Sequence, residues 1–154
     1  MIEQGEMAPD VTLRMSDERE VKLSEWRGRP LLLYFYPKDD TPGCTKEALQ
    51  FSELAGAFSK AGVAVLGVSK DPPSKHRKFA EKYDLRVQLA TDFDNSVTDA
   101  FGVWVEKNMY GRKYMGIQRA TFLIDATGRV ARVWPKVKVA GHGQDVYEAV
   151  QVLG

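Results

Sequence analysis

The six residues Leu31-Leu32-Leu33-Tyr34-Phe35-Tyr36 are apolar or aromatic without interruption, and Pro30 and Pro37 close the run at its two ends. A run of this length is that of a strand, and a strand with no polar position leaves no face for water. It must be covered on both sides, which confines the chain to folds with an interior sheet. Val63 to Val68 (VAVLGV) and Ala120 to Asp125 (ATFLID) have the same character, whereas Val130 to Trp134 (VARVW) alternates as a half-covered strand does. The turn Asp125-Ala126-Thr127-Gly128 joins the last two into a hairpin. Helical patterns occupy 42–60, 73–83, a short stretch near 97–101, and 144–152. The region 95–117, mixed in tyrosines, glycines and charges, predicts loops around a short helix. Strand, helix, strand, helix, hairpin and closing helix together predict an α/β fold, a central mixed β-sheet with helices on both faces. The 154 residues fit a single domain, 1–154.

Charge excludes several functions. Lysine and arginine number 22 against 21 aspartates and glutamates, and the basic residues are scattered, so no field gathers nucleic acid or an anionic membrane. The densest basic group, Lys75-His76-Arg77-Lys78, reads as a solvated helix face. The start MIEQGEMAPD has neither a basic cluster nor an apolar run, and the expected location is cytoplasmic. His76 and His142 each stand alone, without a second ligand at helical spacing, and are expected to be structural or on the surface rather than to bind metal. Trp26, Trp104 and Trp134 read as packing or pocket-rim residues rather than a cofactor box. A calcium loop at 92–103 is excluded because Val97 and Val103 stand where its glycine and glutamate belong. No dinucleotide fingerprint or phosphate loop is present, so no cofactor is expected.

The chain has one cysteine, Cys44, and hence no internal disulfide. Thr41 is a favoured N-cap residue and Pro42 suits the first helical position, which puts Cys44 at the third. Unpaired N–H groups and the positive end of the helix dipole favour a thiolate there. Cys44 shares a helix face with Ala48, Phe51, Ala55 and Phe58, so the sulfur points toward the core. Thiolate character alone accomplishes little. Lowering a thiol from ~8.5 to ~6 raises its ionised fraction at pH 7 about thirtyfold, but roughly a factor of ten is returned as lost nucleophilicity. A fast reaction at this sulfur needs donors aimed at the oxygen where charge develops; the Thr41 hydroxyl, the Cys44 N–H and an arginine are candidates.

The pattern Pro37-x-x-x-Thr41-x-x-Cys44, following a buried strand and opening a helix, resembles the active-site signature of the peroxiredoxins. The wider string TPGCTKEA, the later Val68-Ser69-Lys70-Asp71 and Ser74-x-His76-x-x-Phe79, the segment from Tyr110 to Asp125 and the pair Gly141-His142 are similar to the bacterioferritin-comigratory, or Q-type, branch. The resemblance runs from Gly5-x-x-Ala8-Pro9-Asp10 to the last helix. It implies a thioredoxin-like fold and a thiol-dependent peroxidase that reduces hydrogen peroxide and organic hydroperoxides, with a sulfenic acid formed on Cys44. By the same resemblance Thr41 orients the peroxide, Arg119 supports the thiolate and polarises the O–O bond, Pro37 shapes the pocket, and Glu47 orients the arginine. Relatives often carry a second, resolving cysteine, but its two usual places hold Leu49 and Ala80 here. Position 49 also lies about 140° around the helix from position 44. The expected cycle therefore uses one cysteine and an external thiol partner such as thioredoxin or glutaredoxin, in a monomer or weak homodimer. A redox-sensing or holding module, whose cysteine oxidises without turnover, is the alternative. A disulfide oxidoreductase is disfavoured, because Thr41 occupies the first position of what would be its C-x-x-C pair.

Overall fold

The computed structural model describes residues 1–153. The apolar run forms β3 (Leu31–Phe35), buried at every position. It pairs in parallel with β4 (Ala64–Ser69) on one side and antiparallel with β8 (Ala120–Ile124) on the other. Side chains alternate across the sheet, so β3 feeds two cores. Leu31, Leu33 and Phe35 join Leu13, Leu66, Val68, Phe101 and Phe122 on one face. Leu32, Tyr34 and Tyr36 join Cys44, Phe51, Phe58, Phe79 and Val146 on the other.

The full sheet has seven strands. β1 (Thr12–Met15), β2 (Glu20–Lys22), β5 (Gln88–Thr91) and β9 (Val130–Trp134) complete it in the order β2-β1-β5-β4-β3-β8-β9. The parallel strands β3, β4 and β5 lie side by side, and β1, β8 and β9 run antiparallel to their neighbours. The sheet is mixed, as expected. The helices divide unequally between its faces. The second core receives α1 (Pro42–Glu53), α2 (Ala55–Lys60), α3 (Pro73–Tyr83) and α5 (His142–Leu153), and the first receives the short α4 (Ser96–Phe101) and a 3₁₀ turn at Leu23–Trp26.

Two expectations need correction. The helix predicted over 42–60 is interrupted at Leu54, where ψ is 0° and the chain turns from α1 into α2. The break keeps Phe58, seven residues past Phe51, in the same core with its ring 6.3 Å from that of Phe51. The region predicted as loops around a helix holds α4 and then a separate hairpin of β6 (Trp104–Met109) and β7 (Arg112–Ile117). A further tie bears on the site: the Gln50 amide of α1 donates to the Val139 carbonyl (2.8 Å) and accepts from the Gly143 N–H (2.9 Å), fastening α1 to the first turn of α5. Among the described residues no helix is long and apolar enough to cross a membrane.

Candidate active site

β3 ends at Phe35, and six intervening residues lead into α1 at Pro42. Thr41 takes the extended backbone of an N-cap (φ −106°, ψ 155°) and Pro42 begins the helix, so Cys44 falls at the third helical position. The first i→i−4 bond of this helix runs from the Thr45 N–H to the Thr41 carbonyl (2.8 Å), which leaves the N–H groups of Gly43 and Cys44 ahead of the ladder. The Thr41 side chain does not cap. Its hydroxyl turns back and donates to the Lys38 carbonyl (2.8 Å), so the expected side-chain cap is replaced by a bond that closes the preceding loop. Cys44 is 2% exposed and belongs to the same buried core as Tyr36, Ala48 and Phe51.

Arg119 arrives from 75 positions away. The register of β3 against β8 pairs Phe35 with Ala120, so the residue just before β8 stands at the end of β3 where α1 begins. From there the guanidinium reaches two groups at once. Its Nη2 donates to Cys44 Sγ at 3.3 Å and its Nη1 to Glu47 Oε1 at 2.7 Å. Cys44 and Glu47 are three apart on α1 and so share a face. Gly43 eases the approach: a Cβ there would stand 3.2 Å from Arg119 Nη2, close enough that the guanidinium would have to shift by a few tenths of an ångström.

Glu47 is fully buried, and its Oε2 makes no hydrogen bond among the described residues. Burial pushes its carboxyl up to about 7, against the opposing pull of Arg119. The folded protein therefore holds this proton more tightly than the unfolded chain, whose glutamate titrates near 4.5. The consequence for stability has a definite sign: it is greatest below about 4.5 and falls as pH rises from there through about 7. Glu47→Gln keeps an acceptor for Arg119 but cannot ionise. Urea unfolding at a series of pH values is expected to show this decline in the parent, on the order of 3 kcal/mol, and a flatter profile in the variant. Parallel profiles would show that Glu47 does not titrate in that range.

Of the five expected site residues, Cys44, Arg119 and Glu47 are joined by direct contacts. Thr41 sits at the mouth of the same helix, and Pro37 is exposed in the loop between β3 and α1. Two neighbours went unread in the sequence. Tyr34 is 1% exposed with its hydroxyl unpartnered among the described residues; its ring packs on Phe51 and lies over Gly67, where a Cβ would come within 2.6 Å. Burial, and then the charge of Glu47, hold its phenol well above the ordinary range. In an apolar run nothing distinguished it from core. Lys107 of β6 is the second: burial, then the charge of Arg119, lower its ammonium, while Cys44 acts in the opposite direction. It lay in the region predicted as loop.

The two histidines are both interior. His142 is 3% exposed, bonded to Thr121 Oγ1 (2.8 Å) between Phe51 and Trp134, and burial lowers it to about 4. His76 is fully buried on α3, so the basic group Lys75 to Lys78 is a solvated face with one member turned inward. Among the described residues no cluster of histidine, cysteine and carboxylate side chains could hold a metal.

The family of the chain follows from its relatives. Residues 4–133 match the AhpC/TSA family. A putative peroxiredoxin Bcp of Coxiella burnetii is 51% identical over 145 residues, covering 94% of this chain and 96% of the relative. The peroxiredoxin Bcp of Bacillus subtilis is 46% identical over 152 residues, covering 99% and 95%. Among solved structures, the Xanthomonas campestris bacterioferritin comigratory protein, studied for its alkyl peroxide reduction activity, superimposes with a TM-score of 0.91 at 41% identity over 99% of each chain. A cysteine-to-serine mutant of Xylella fastidiosa PrxQ gives 0.93 at 36% identity over 99% and 98%. With its thioredoxin-like sheet and a lone thiol at the head of α1, the chain belongs to the AhpC/TSA family as a peroxiredoxin of the Bcp or PrxQ kind, a thiol-dependent peroxidase.

Proposed function

We propose that this peroxidase reduces hydrogen peroxide and organic hydroperoxides through Cys44 alone and is recycled by an external thiol. The observation that carries the reading is the bidentate reach of Arg119, one nitrogen on Sγ and the other on Glu47. A guanidinium fixed by a buried acid supports negative charge on the sulfur without having to reorient during the reaction. The Cys44 thiolate attacks the terminal peroxide oxygen; the O–O bond breaks, an S–O bond forms, and the departing alkoxide or hydroxide takes a proton to leave as alcohol or water. Thr41 has already donated its proton to Lys38, so toward the pocket its oxygen accepts and is suited to receive the O–H of the peroxide. We assign Pro37, exposed in the loop between β3 and α1, to shaping the place where the peroxide binds. The alkyl peroxide reduction of the Xanthomonas campestris relative favours organic hydroperoxides among the substrates.

The sulfenic acid is then attacked by a thiol, releasing water and leaving a mixed disulfide, which a second thiol resolves. The chain supplies no thiol of its own for this step. Leu49 is on the exposed side of α1 while Cys44 is buried, and Ala80 is on α3. A protein dithiol such as thioredoxin or glutaredoxin, or a small thiol, fills the role.

The test adds micromolar hydrogen peroxide to the reduced protein and follows its mass, then measures steady-state peroxide consumption with each thiol in turn. One added oxygen on Cys44 and sustained consumption with at least one thiol are expected. No added oxygen overturns the reading; oxidation with no turnover under any reductant would assign the chain a sensing or holding role.

A further inference from the structure

Behind the loop that joins β3 to α1 lies a buried polar cluster that the reaction as described does not use. Asp39 (2% exposed) accepts from the Tyr36 hydroxyl on Oδ1 (2.5 Å), and its Oδ2 stands 2.6 Å from His76 Nδ1. Asp71 (8% exposed) accepts on Oδ2 from the Asp39 N–H (2.8 Å) and from the Ser69 hydroxyl (2.7 Å). Thr91 donates to the Asp71 carbonyl (2.6 Å). These groups come from the ends of β3, β4 and β5 and from α3. Buried carboxylates are costly unless bonded, and this cluster is held by few bonds: Asp39 Oδ2 has only its approach to His76 Nδ1, and His76 Nε2 has no partner among the described residues.

One peptide unit connects the cluster to the site. The N–H of Asp39 and the carbonyl of Lys38 belong to the same planar amide. Its N–H end is held by Asp71, and its carbonyl end receives the Thr41 hydroxyl (2.8 Å). Outside the loop, Asp40 has a left-handed backbone (φ 57°) and accepts from Tyr83 (2.6 Å) and Lys82 (2.8 Å), which restrains the next peptide as well.

We infer that the Lys38–Asp39 peptide is a relay through which Asp71 and Asp39, held by Ser69, Tyr36 and His76, turn the Thr41 hydroxyl inward so that its lone pairs face the peroxide. Asp71 and His76 are positioning residues; neither touches the sulfur. If the Asp71 carboxylate is removed, the Asp39 N–H loses its partner, the amide is free to rotate, and the Thr41 proton can swing toward the pocket. A hydroxyl turned that way meets the peroxide O–H donor to donor.

The inference rests on the peroxidase reading, and a double-mutant cycle separates the two. Asp71→Ala is expected to slow oxidation of Cys44 by peroxide about tenfold, the upper end of what one net hydrogen bond contributes. In a Thr41→Val background, where there is no hydroxyl left to aim, the same change is expected to cost less than about twofold. Asp71→Asn, which keeps an acceptor for the Asp39 N–H, should restore the rate to within about threefold of the parent. Alkylation of Cys44 by iodoacetamide, which makes no demand on Thr41, is expected to keep its parental rate in Asp71→Ala. Equal losses in both backgrounds, with normal oxidation of the parent, would overturn the relay alone. A parent that takes up no oxygen would overturn the peroxidase reading and the relay with it. Should Asp71→Ala fail to fold, His76→Phe enters the same cycle, and equal losses there count in the same way.

Discussion

Cys44→Ser is expected to abolish peroxide consumption while leaving the fold and its melting temperature close to those of the parent. The chain contains no other cysteine, so no second thiol can supply a background. Serine fills nearly the same volume in a site that is 2% exposed, and its hydroxyl can still accept from Arg119 Nη2, which in the parent donates to the sulfur at 3.3 Å. The core that position 44 shares with Ala48, Phe51 and Tyr36 is therefore retained, and what disappears is nucleophilicity. A thiol near neutral pH has an accessible anion and a polarizable sulfur, whereas a hydroxyl beside one guanidinium has no appreciable anion. The measurement is steady-state consumption with a thiol reductant, together with the mass of the protein after peroxide treatment. Turnover above the reagent blank in the variant would show that the peroxide reacts elsewhere, with the five methionines as the first place to look for added oxygen.

What could be read from the sequence follows the range of the interactions involved. The interior strand and the placement of the thiol at the third position of a helix are local, and both are present. The contact of Arg119 with Cys44 depends on the pairing of Phe35 with Ala120, and no spacing along the chain encodes that register; only the resemblance brought the two together. The hairpin of β6 and β7 was missed for a specific reason. Its two-residue turn, Tyr110-Gly111, has positive φ at both positions (54° and 79°), a geometry usually signalled by Asn-Gly or Asp-Gly. The strand after it shows no alternation either, since Arg112 to Met115 are all exposed. Thr41 has the backbone of a cap, yet the Lys38 carbonyl competes for its hydroxyl, and that competition is set by Asp71 from another strand's end. For His76 the expectation of a structural or surface role left its burial open, because the other three residues of its run are basic and solvated; the carboxylate it meets inside, Asp39, is 37 positions away.

Arg119→Ala is expected to slow oxidation of Cys44 by about 10² to 10³, the range found when a preorganised donor is removed from a site of developing charge. The effect on folding is expected to be far smaller, and Glu47 is the reason. Removing one partner of a buried ion pair usually leaves a stranded charge, at a cost of about 3–5 kcal/mol. Here burial already outweighs Arg119 and holds the Glu47 carboxyl near 7. Without the guanidinium, whose charge and hydrogen bond both act to lower that value, the carboxyl rises further and is neutral at pH 7. The acid escapes the penalty by keeping its proton, and Arg119→Ala should stay folded with a loss confined to reactivity. Arg119→Lys sharpens the test. Lysine restores a positive charge but is a single point donor, and it cannot reach Sγ and Glu47 Oε1 in one plane as two guanidinium nitrogens do. Rapid-mixing oxidation rates are expected to place it between the parent and alanine. If instead lysine matches arginine, charge alone suffices and the bidentate geometry is incidental; if alanine oxidises within about threefold of the parent, the arginine is not part of the reacting site.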